Sequence, residues 1–354
     1  MFLTGIATAT PPGRFTKAEC LDAFQRSHWF GRLDARSHLV ARTVLQRDNG
    51  IEARRLAIDQ LSDVFSIDPD TLAARFLQHA PVLAAQAAEG ALQDAGIQTQ
   101  EIDALVVSTC TGYLCPGLSG YVAERLGLRP DIQAYDLVGQ GCAAAVPNLQ
   151  LGNALIGSRS AAHVLSVCVE VSSAAMYLDN DPGVLISACL FGDGAGAAVL
   201  SRKPGEGLGR PKIRWKASRS VMEPARRDAL KFEQRGGMLR NILTREVPAL
   251  AAEHADDVLV KVLAECGVPR ESIRAWIMHA GGRDVLLALE RRMSLEPQDL
   301  RYSAAMLREY GNLSSAFVYF VLKAALDDGA ERGHWWLSSF GAGFSCHGAL
   351  LEVS

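Results

Sequence analysis

Apolar runs of strand length alternate with longer stretches of helical periodicity in both halves of this chain, and that alternation does most to narrow the folds open to it. Ala104–Thr109, Gln133–Val138 and Ala161–Val169 read as strands in the first half; Ala275–His279, Trp335–Phe340 and Ser345–Val353 read as strands in the second. A short opening strand, Phe2–Thr8, precedes some ninety residues that read as largely helical, of which Thr71–Gly96 is the clearest helix. Further helical patterns cover about 246–266, 283–293 and 312–328. The polar, Pro- and Gly-rich stretch Ser201–Pro211 is the best boundary and divides the chain into 1–205 and 206–354. Strands alternating with helices on both sides predict an α/β architecture, with a duplication in pattern and no strong residue-level repeat.

Composition removes several function classes. The 354 residues are 49% hydrophobic and 21% charged, a balance that excludes a predominantly disordered chain. Lys plus Arg number 36 against 39 Asp plus Glu, so the net charge of −3 argues against a nucleic-acid binder that works by neutralising phosphates. No stretch approaches the roughly 20 apolar residues of a spanning helix, and the first thirty lack a basic head with an apolar run, so a cytoplasmic protein with no membrane span is expected. Eight scattered cysteines fit reduced thiols better than a disulfide framework.

Three residues at the edges of elements carry the candidate chemistry. Cys142, in Gly139–Asn148, follows a strand and opens a helical run, where unpaired N–H groups and the helix dipole favour a thiolate. A buried structural cysteine fits the local sequence equally well. His279 ends an apolar strand before Ala280-Gly281-Gly282-Arg283, a position that suits either a thiolate partner or a satisfied structural group. Asn312, in Tyr310–Ala316, reads as a helix N-cap or as an uncharged donor to an oxyanion.

Taken in order, Gly141-Cys142, Phe191–Gly196, His279–Arg283, Gly311–Ala316 and Thr111–Gly117 resemble the signature segments of the chalcone synthase family, the type III polyketide synthases. The resemblance covers essentially the whole chain. It implies a thiolase-like fold of two similar βαβαβ halves in five αβαβα layers, working as a homodimer. It implies that Cys142 takes an acyl starter from coenzyme A, that His279 and Asn312 hold malonyl-CoA while it loses CO2, and that Phe191 is a gatekeeper. Coenzyme A thioesters are then substrates, with no metal and no redox cofactor. Initiating β-ketoacyl carrier-protein synthases share the Cys-His-Asn set and are the nearest alternative; a non-catalytic acyl-binding partner subunit is the alternative of a different class.

Several positions depart from the family pattern or bear on specificity. Cys115 stands where a methionine often reaches into the partner's cavity, with Cys110 five residues earlier. Arg240 or Asn241 falls where a second gatekeeper phenylalanine is expected. Phe344 replaces the proline of a Gly-rich loop, and Cys346-His347 read as strand residues. Small side chains at Ser172 and Ala175, with Ser314 in the same region, suggest a roomy cavity and hence fatty acyl starters released as alkylresorcinols or alkylpyrones. Arg42, Arg47, Arg54 and Arg55 are candidates for coenzyme A phosphates, with Gly281 and Gly282 beside the pantetheine.

Overall fold

The computed structural model describes residues 1–205 and 211–354. The first part runs through β1 (Phe2–Ala9), β2 (Arg14–Thr16), α1 (Lys17–Arg26), α2 (Ala35–Gln46), β3 (Ala53–Arg55), α3 (Pro69–Ala95), β4 (Ala104–Ser108), α4 (Leu118–Leu126), β5 (Gln133–Leu137), α5 (Ala145–Gly157), β6 (His163–Glu170), α6 (Pro182–Leu190) and β7 (Gly194–Ser201). The second runs through β8 (Ile213–Met222), β9 (Leu230–Arg235), β10 (Met238–Leu243), α7 (Val247–Cys266), β11 (Ile273–Met278), α8 (Arg283–Met293), α9 (Arg301–Tyr310), α10 (Phe317–Asp327), β12 (Gly333–Gly341) and β13 (Ser345–Val353). The boundary expected after residue 205 adjoins 206–210, which lie outside the described residues.

Nine strands share one mixed sheet in the order β11-β12-β13-β8-β1-β7-β6-β4-β5. Read outward from the centre, β1-β7-β6-β4 and β8-β13-β12-β11 take their first, last, penultimate and second strands in the same sequence. The pairings match as well: antiparallel, antiparallel, then parallel. The halves join through a short antiparallel contact, Phe2 opposite Arg214 and Leu3 opposite Ile213. The duplication is therefore topological, and only the first half adds a further strand, β5, at its edge.

Alternation within the strands explains the layers. Along β6, Val164 and Cys168 join one apolar cluster while Leu165, Val167 and Val169 join another; β4 and β7 split in the same way. Both faces are apolar, so both need covering by helices. On the shared inner face α5 and α10 each touch strands of both halves, α3 packs on the outer face of the first half, and α7 packs on that of the second. The result is five layers, αβαβα. Helix α3 lies close because its buried face is alanine-rich (Ala80, Ala84, Ala87, Ala88 and Ala91) and because Gly5 of β1 faces it. A Cβ at Gly5 would sit 2.3 Å from the Ala91 carbonyl oxygen. Asp68 caps this helix by accepting from the Thr71 N–H, and Gly96 ends it in the left-handed region at φ 67°.

Asn148 ties α5 to the sheet directly behind the turn that carries Cys142. Its fully buried amide donates to the Ser108 hydroxyl at 2.8 Å and to the Val167 carbonyl at 3.0 Å, and it accepts from the Ser166 hydroxyl at 2.6 Å. Leucine has the volume and no polar atoms, so Asn148→Leu strands these groups at about 1–3 kcal/mol each. Urea unfolding of this variant is expected to show a stability loss of several kcal/mol, far above a surface substitution.

Candidate active site

Cys142 sits in a single tight turn, Gly141–Ala143, between β5 and α5. Gly141 makes the turn with φ 54°, and the second half of the molecule closes on it. The Ser339 hydroxyl of β12 donates to the Ala143 carbonyl at 2.7 Å. The backbone of Gly341 comes so near that a Cβ there would lie 2.5 Å from the Ala143 nitrogen and 2.9 Å from that of Cys142. Any side chain at 341 would displace the turn, which accounts for the glycines kept in the C-terminal loop.

His279 follows β11 and is tied to β12 through its backbone N–H, which donates to the Ser338 carbonyl at 2.9 Å. Its ring is buried edge-on against Phe340, 4.8 Å between centroids, and Phe317, 5.4 Å. Both ring nitrogens are buried without a hydrogen-bond partner. Asn312 precedes α10 and does not cap it. Its side-chain oxygen accepts from the Ser314 N–H at 2.8 Å and its amide donates to the Gly281 carbonyl at 3.3 Å, so one side chain bridges the segment after His279 to Ser314. Asn312 is also stitched to the segment of Phe191: its N–H donates to the Leu190 carbonyl, and the Gly192 N–H donates to the Asn312 carbonyl.

Ser314 joins these pieces to the sulfur. Held at φ 50°, a conformation rare outside glycine, it places its hydroxyl within hydrogen-bond reach of Cys142 Sγ at 3.3 Å, the one proton being shared with Glu170. Beneath it lies Glu170, at the end of β6 and fully buried, which the sequence reading passed over. Glu170 accepts from the Cys110 N–H at 3.0 Å, the Thr111 hydroxyl at 3.0 Å, the Ser314 hydroxyl at 3.2 Å and, in a short bond, the Ser315 hydroxyl. Burial pushes its carboxyl above the ordinary carboxylate range while these donors pull the other way. An acidic residue closing a continuous apolar strand was the available signal, since a buried carboxylate needs a function or a network.

A cavity opens beside Ser314, lined among others by Cys110, Ala175, Phe191, Phe232, Asn241 and Met176. The structure thus brings Cys110, Ala175, Phe191 and Ser314 to one hollow, and of the two residues considered for a second gatekeeper only Asn241 lines it. Arg240 turns instead to Asp179, Asp181 and Glu233. Cys115 does not join them and is exposed in the loop before α4. Ser172 and Ala175 both line this cavity; its free volume is ≈ 30 Å³, with Met176, Phe232 and Val184 also on its walls.

Comparison with known proteins bears on the same residues. A family model described as FAE1/type III polyketide synthase-like protein matches residues 14–222, and one for the C-terminal domain of chalcone and stilbene synthases matches 217–353. The chain belongs to the type III polyketide synthase family. Among solved structures, the 1,3,6,8-tetrahydroxynaphthalene synthase of Streptomyces coelicolor, a bacterial type III polyketide synthase, superposes with a TM-score of 0.89 at 25% identity, over 99% of each chain. A type III pentaketide synthase from Neurospora crassa gives 0.88 at 24% identity over 100% of this chain and 99% of that one. PKS-I of the brown alga Ectocarpus siliculosus gives 0.89 at 22% identity over 99% and 97%. The five layers are thus the thiolase-like fold of this family.

In this type III polyketide synthase the arginines named from sequence part company. Arg54 is buried, and its guanidinium donates to the Ala188 and Phe191 carbonyls at 2.8 and 3.0 Å, so it supports the segment of Phe191 and is not free for a phosphate. Arg55 is half-buried against Glu309 at 3.4 Å. Arg42 and Arg47 are exposed on and just after α2, and neither forms an ion pair among the described residues. Gly281 supplies the carbonyl bound by Asn312, and Gly282 leads into α8.

The thiolate expected for Cys142 is also corrected. Burial pushes its thiol up to about 12 despite the Ser314 hydrogen bond, and burial lowers His279 to about 3. Each charge alone is disfavoured in the dry site. A proton passed from sulfur to imidazole would create opposite charges together, and their attraction is strongest where water is excluded. On that account the imidazole would be the acceptor that makes the sulfur reactive. We expect His279→Ala to slow alkylation of Cys142 by iodoacetamide at pH 7 by tenfold or more. With the acceptor gone and the thiol near 12, the rate should climb about tenfold per pH unit between pH 7 and 10, read by mass spectrometry of the labelled peptide.

Proposed function

We propose that this enzyme loads an acyl group from an acyl-CoA onto Cys142, decarboxylates malonyl-CoA beside His279 and Asn312, and repeats the condensation before cyclising the chain to a pyrone, a resorcinol or a related aromatic polyketide. The observation that carries this reading is that Ser314 bonds the sulfur of Cys142 through its hydroxyl and the side chain of Asn312 through its N–H, while Asn312 in turn donates to the Gly281 carbonyl, two residues after His279. In loading, the sulfur attacks the thioester carbonyl, its proton passes to His279 and on to the departing coenzyme A thiolate, and an acyl-enzyme remains. In extension, malonyl-CoA loses its carboxylate as CO2, and the electron pair is held as an enolate on the thioester oxygen. The His279 imidazole and the Asn312 amide are the donors to that oxygen. The enolate carbon then attacks the acyl group, a C–C bond forms, and Cys142 leaves as thiolate. Acyl transfer from thioester to thioester is near isoenergetic, which suits cysteine, and neither step calls for a metal or a redox centre.

The same reading includes a homodimer in the cytoplasm, where coenzyme A thioesters are met and the free cysteines stay reduced. Strand β5 supports the dimer. It is a sheet edge whose central residues are exposed, beside Val138 at 58% and Tyr113 at 78% exposure. Uncovered apolar edges are rare in lone chains, and a second copy is the simplest cover. Pairing through this edge would set the loop of Cys115 at the interface. No helix among the described residues is long and apolar enough to cross a membrane.

Purified protein given acyl-CoA and malonyl-CoA should release CO2 and form cyclised polyketides. Cys142→Ala should abolish product. Asn312→Ala should still acquire the acyl group, seen as a mass increase at Cys142, while CO2 release falls about 10²–10³-fold. Turnover only with carrier-protein thioesters would favour the initiating synthase reading. For the dimer, Tyr135→Lys with Val138→Lys should yield monomer in sedimentation; a persistent dimer would put the interface elsewhere.

A further inference from the structure

The wall of the cavity that β10 and α6 build is polar, and its polarity is unfinished. Asn241 is 7% exposed, and its amide donates to the Ser187 hydroxyl at 2.9 Å, which fixes the orientation of the group. The side-chain oxygen of Asn241 has no hydrogen-bond partner, and the Ser172 hydroxyl, lining the same cavity, has none either. The walls between them are apolar: Met176, Val184 and Phe232. Buried polar atoms need partners, and both residues line the cavity that Ser314, the hydrogen-bond partner of Cys142 Sγ, also lines. A saturated chain in this cavity would leave both atoms unpaired. A chain carrying an O–H satisfies them as well as water does.

We propose that Asn241 is a specificity-determining residue that accepts a hydrogen bond from an O–H on the acyl chain, so that the site selects hydroxyl-bearing chains over saturated alkyl chains. This deepens, and rests on, the polyketide synthase reading of the site. The O–H has two sources with the same chemistry: a hydroxylated starter, or the enol of a growing 1,3-dicarbonyl chain. Ser187 is a positioning residue, acting through Asn241. Sites built to bond a substrate hydroxyl discriminate more strongly than apolar pockets that merely differ by a methylene.

The test compares wild type with Asn241→Leu, which removes the acceptor, and Asn241→Asp, which keeps one. Loading of Cys142 by 6-hydroxyhexanoyl-CoA in competition with heptanoyl-CoA is read by intact-protein mass spectrometry without malonyl-CoA; product lengths from heptanoyl-CoA with malonyl-CoA are read separately. A wild-type preference of about tenfold or more for the hydroxylated starter, lost in the Leu variant and kept in the Asp variant, assigns the bond to the starter. No starter preference, but earlier release of shorter products by the Leu variant and recovery in the Asp variant, assigns it to the growing chain. A folded Leu variant that matches wild type in both measurements overturns the proposal. Should the Leu variant fail to fold, Ser187→Ala, which frees the amide, must weaken the same selectivity several-fold, and an unchanged selectivity overturns it equally. Failure of the wild type to load any acyl-CoA would strike the reading of the site itself, an outcome distinct from loading without selectivity.

Discussion

The approach of Gly341 to the turn of Cys142 is the contact on which the site depends. Cys142 belongs to the first half of the molecule, while His279, Phe340 and Asn312 belong to the second, and within the shared sheet the two halves touch directly through only a short strand pairing. What brings the chemistry together is the end of β12 pressed against a turn of the first half, backbone to backbone, with no room for a Cβ. The same strand end carries Phe340, whose ring orients His279. One close packing therefore sets both the position of the sulfur and the plane of the imidazole, and α5 and α10, packed against strands of both halves of the sheet, give it a rigid backing.

Beneath that contact the first half keeps buried carboxylates at the ends of adjacent antiparallel strands. Glu170 gathers hydroxyls and amides under Ser314; Asp193 accepts from the Ser173 hydroxyl and N–H at 2.6 and 2.9 Å and from the Ala57 N–H at 2.7 Å. Both are pushed above the usual carboxylate range by burial. Neutral donors rather than cations bond them directly, which suits a site whose working intermediates are anionic. A cation beside the sulfur would stabilise a resting thiolate but also hold it there, whereas a neutral imidazole can take the proton and return it each cycle. Arg54 illustrates the separation. Its guanidinium bonds the carbonyls of Ala188 and Phe191, not Cys142.

Much of this was legible in the sequence where both faces of an element are buried. The strands β4, β6, β12 and β13 and the helices α3, α7 and α8 lie within a few residues of their expected bounds, because apolar runs and helical periodicity mark them unambiguously. β8 was not legible: Arg214, Lys216 and Arg219 break its apolar character, since half of it faces out, and its partners lie more than a hundred residues away on one side and two hundred on the other. The short α9 was missed because Arg301 and Arg308 frame a narrow apolar stripe. At the site, Cys142, His279 and Asn312 stood out because each follows a glycine turn or a strand end. Their protonation did not, because the helix-end argument weighs only local backbone, whereas burial by the opposite half outweighs it.

The cavity shows the same limit in volume. Small side chains at Ser172 and Ala175 suggest space only when their own positions are considered, whereas in a close-packed interior the free volume is set by every neighbour on the wall. Here those neighbours include Met176, Val184 and Phe232, and the hairpin of β9 and β10 adds the amide of Asn241. The wall that results mixes apolar and hydrogen-bonding groups. A chain that grows by two-carbon ketide units adds one oxygen with every unit, so under the role proposed for Asn241 it would gain partners from this wall as it lengthens, where a saturated chain would gain none.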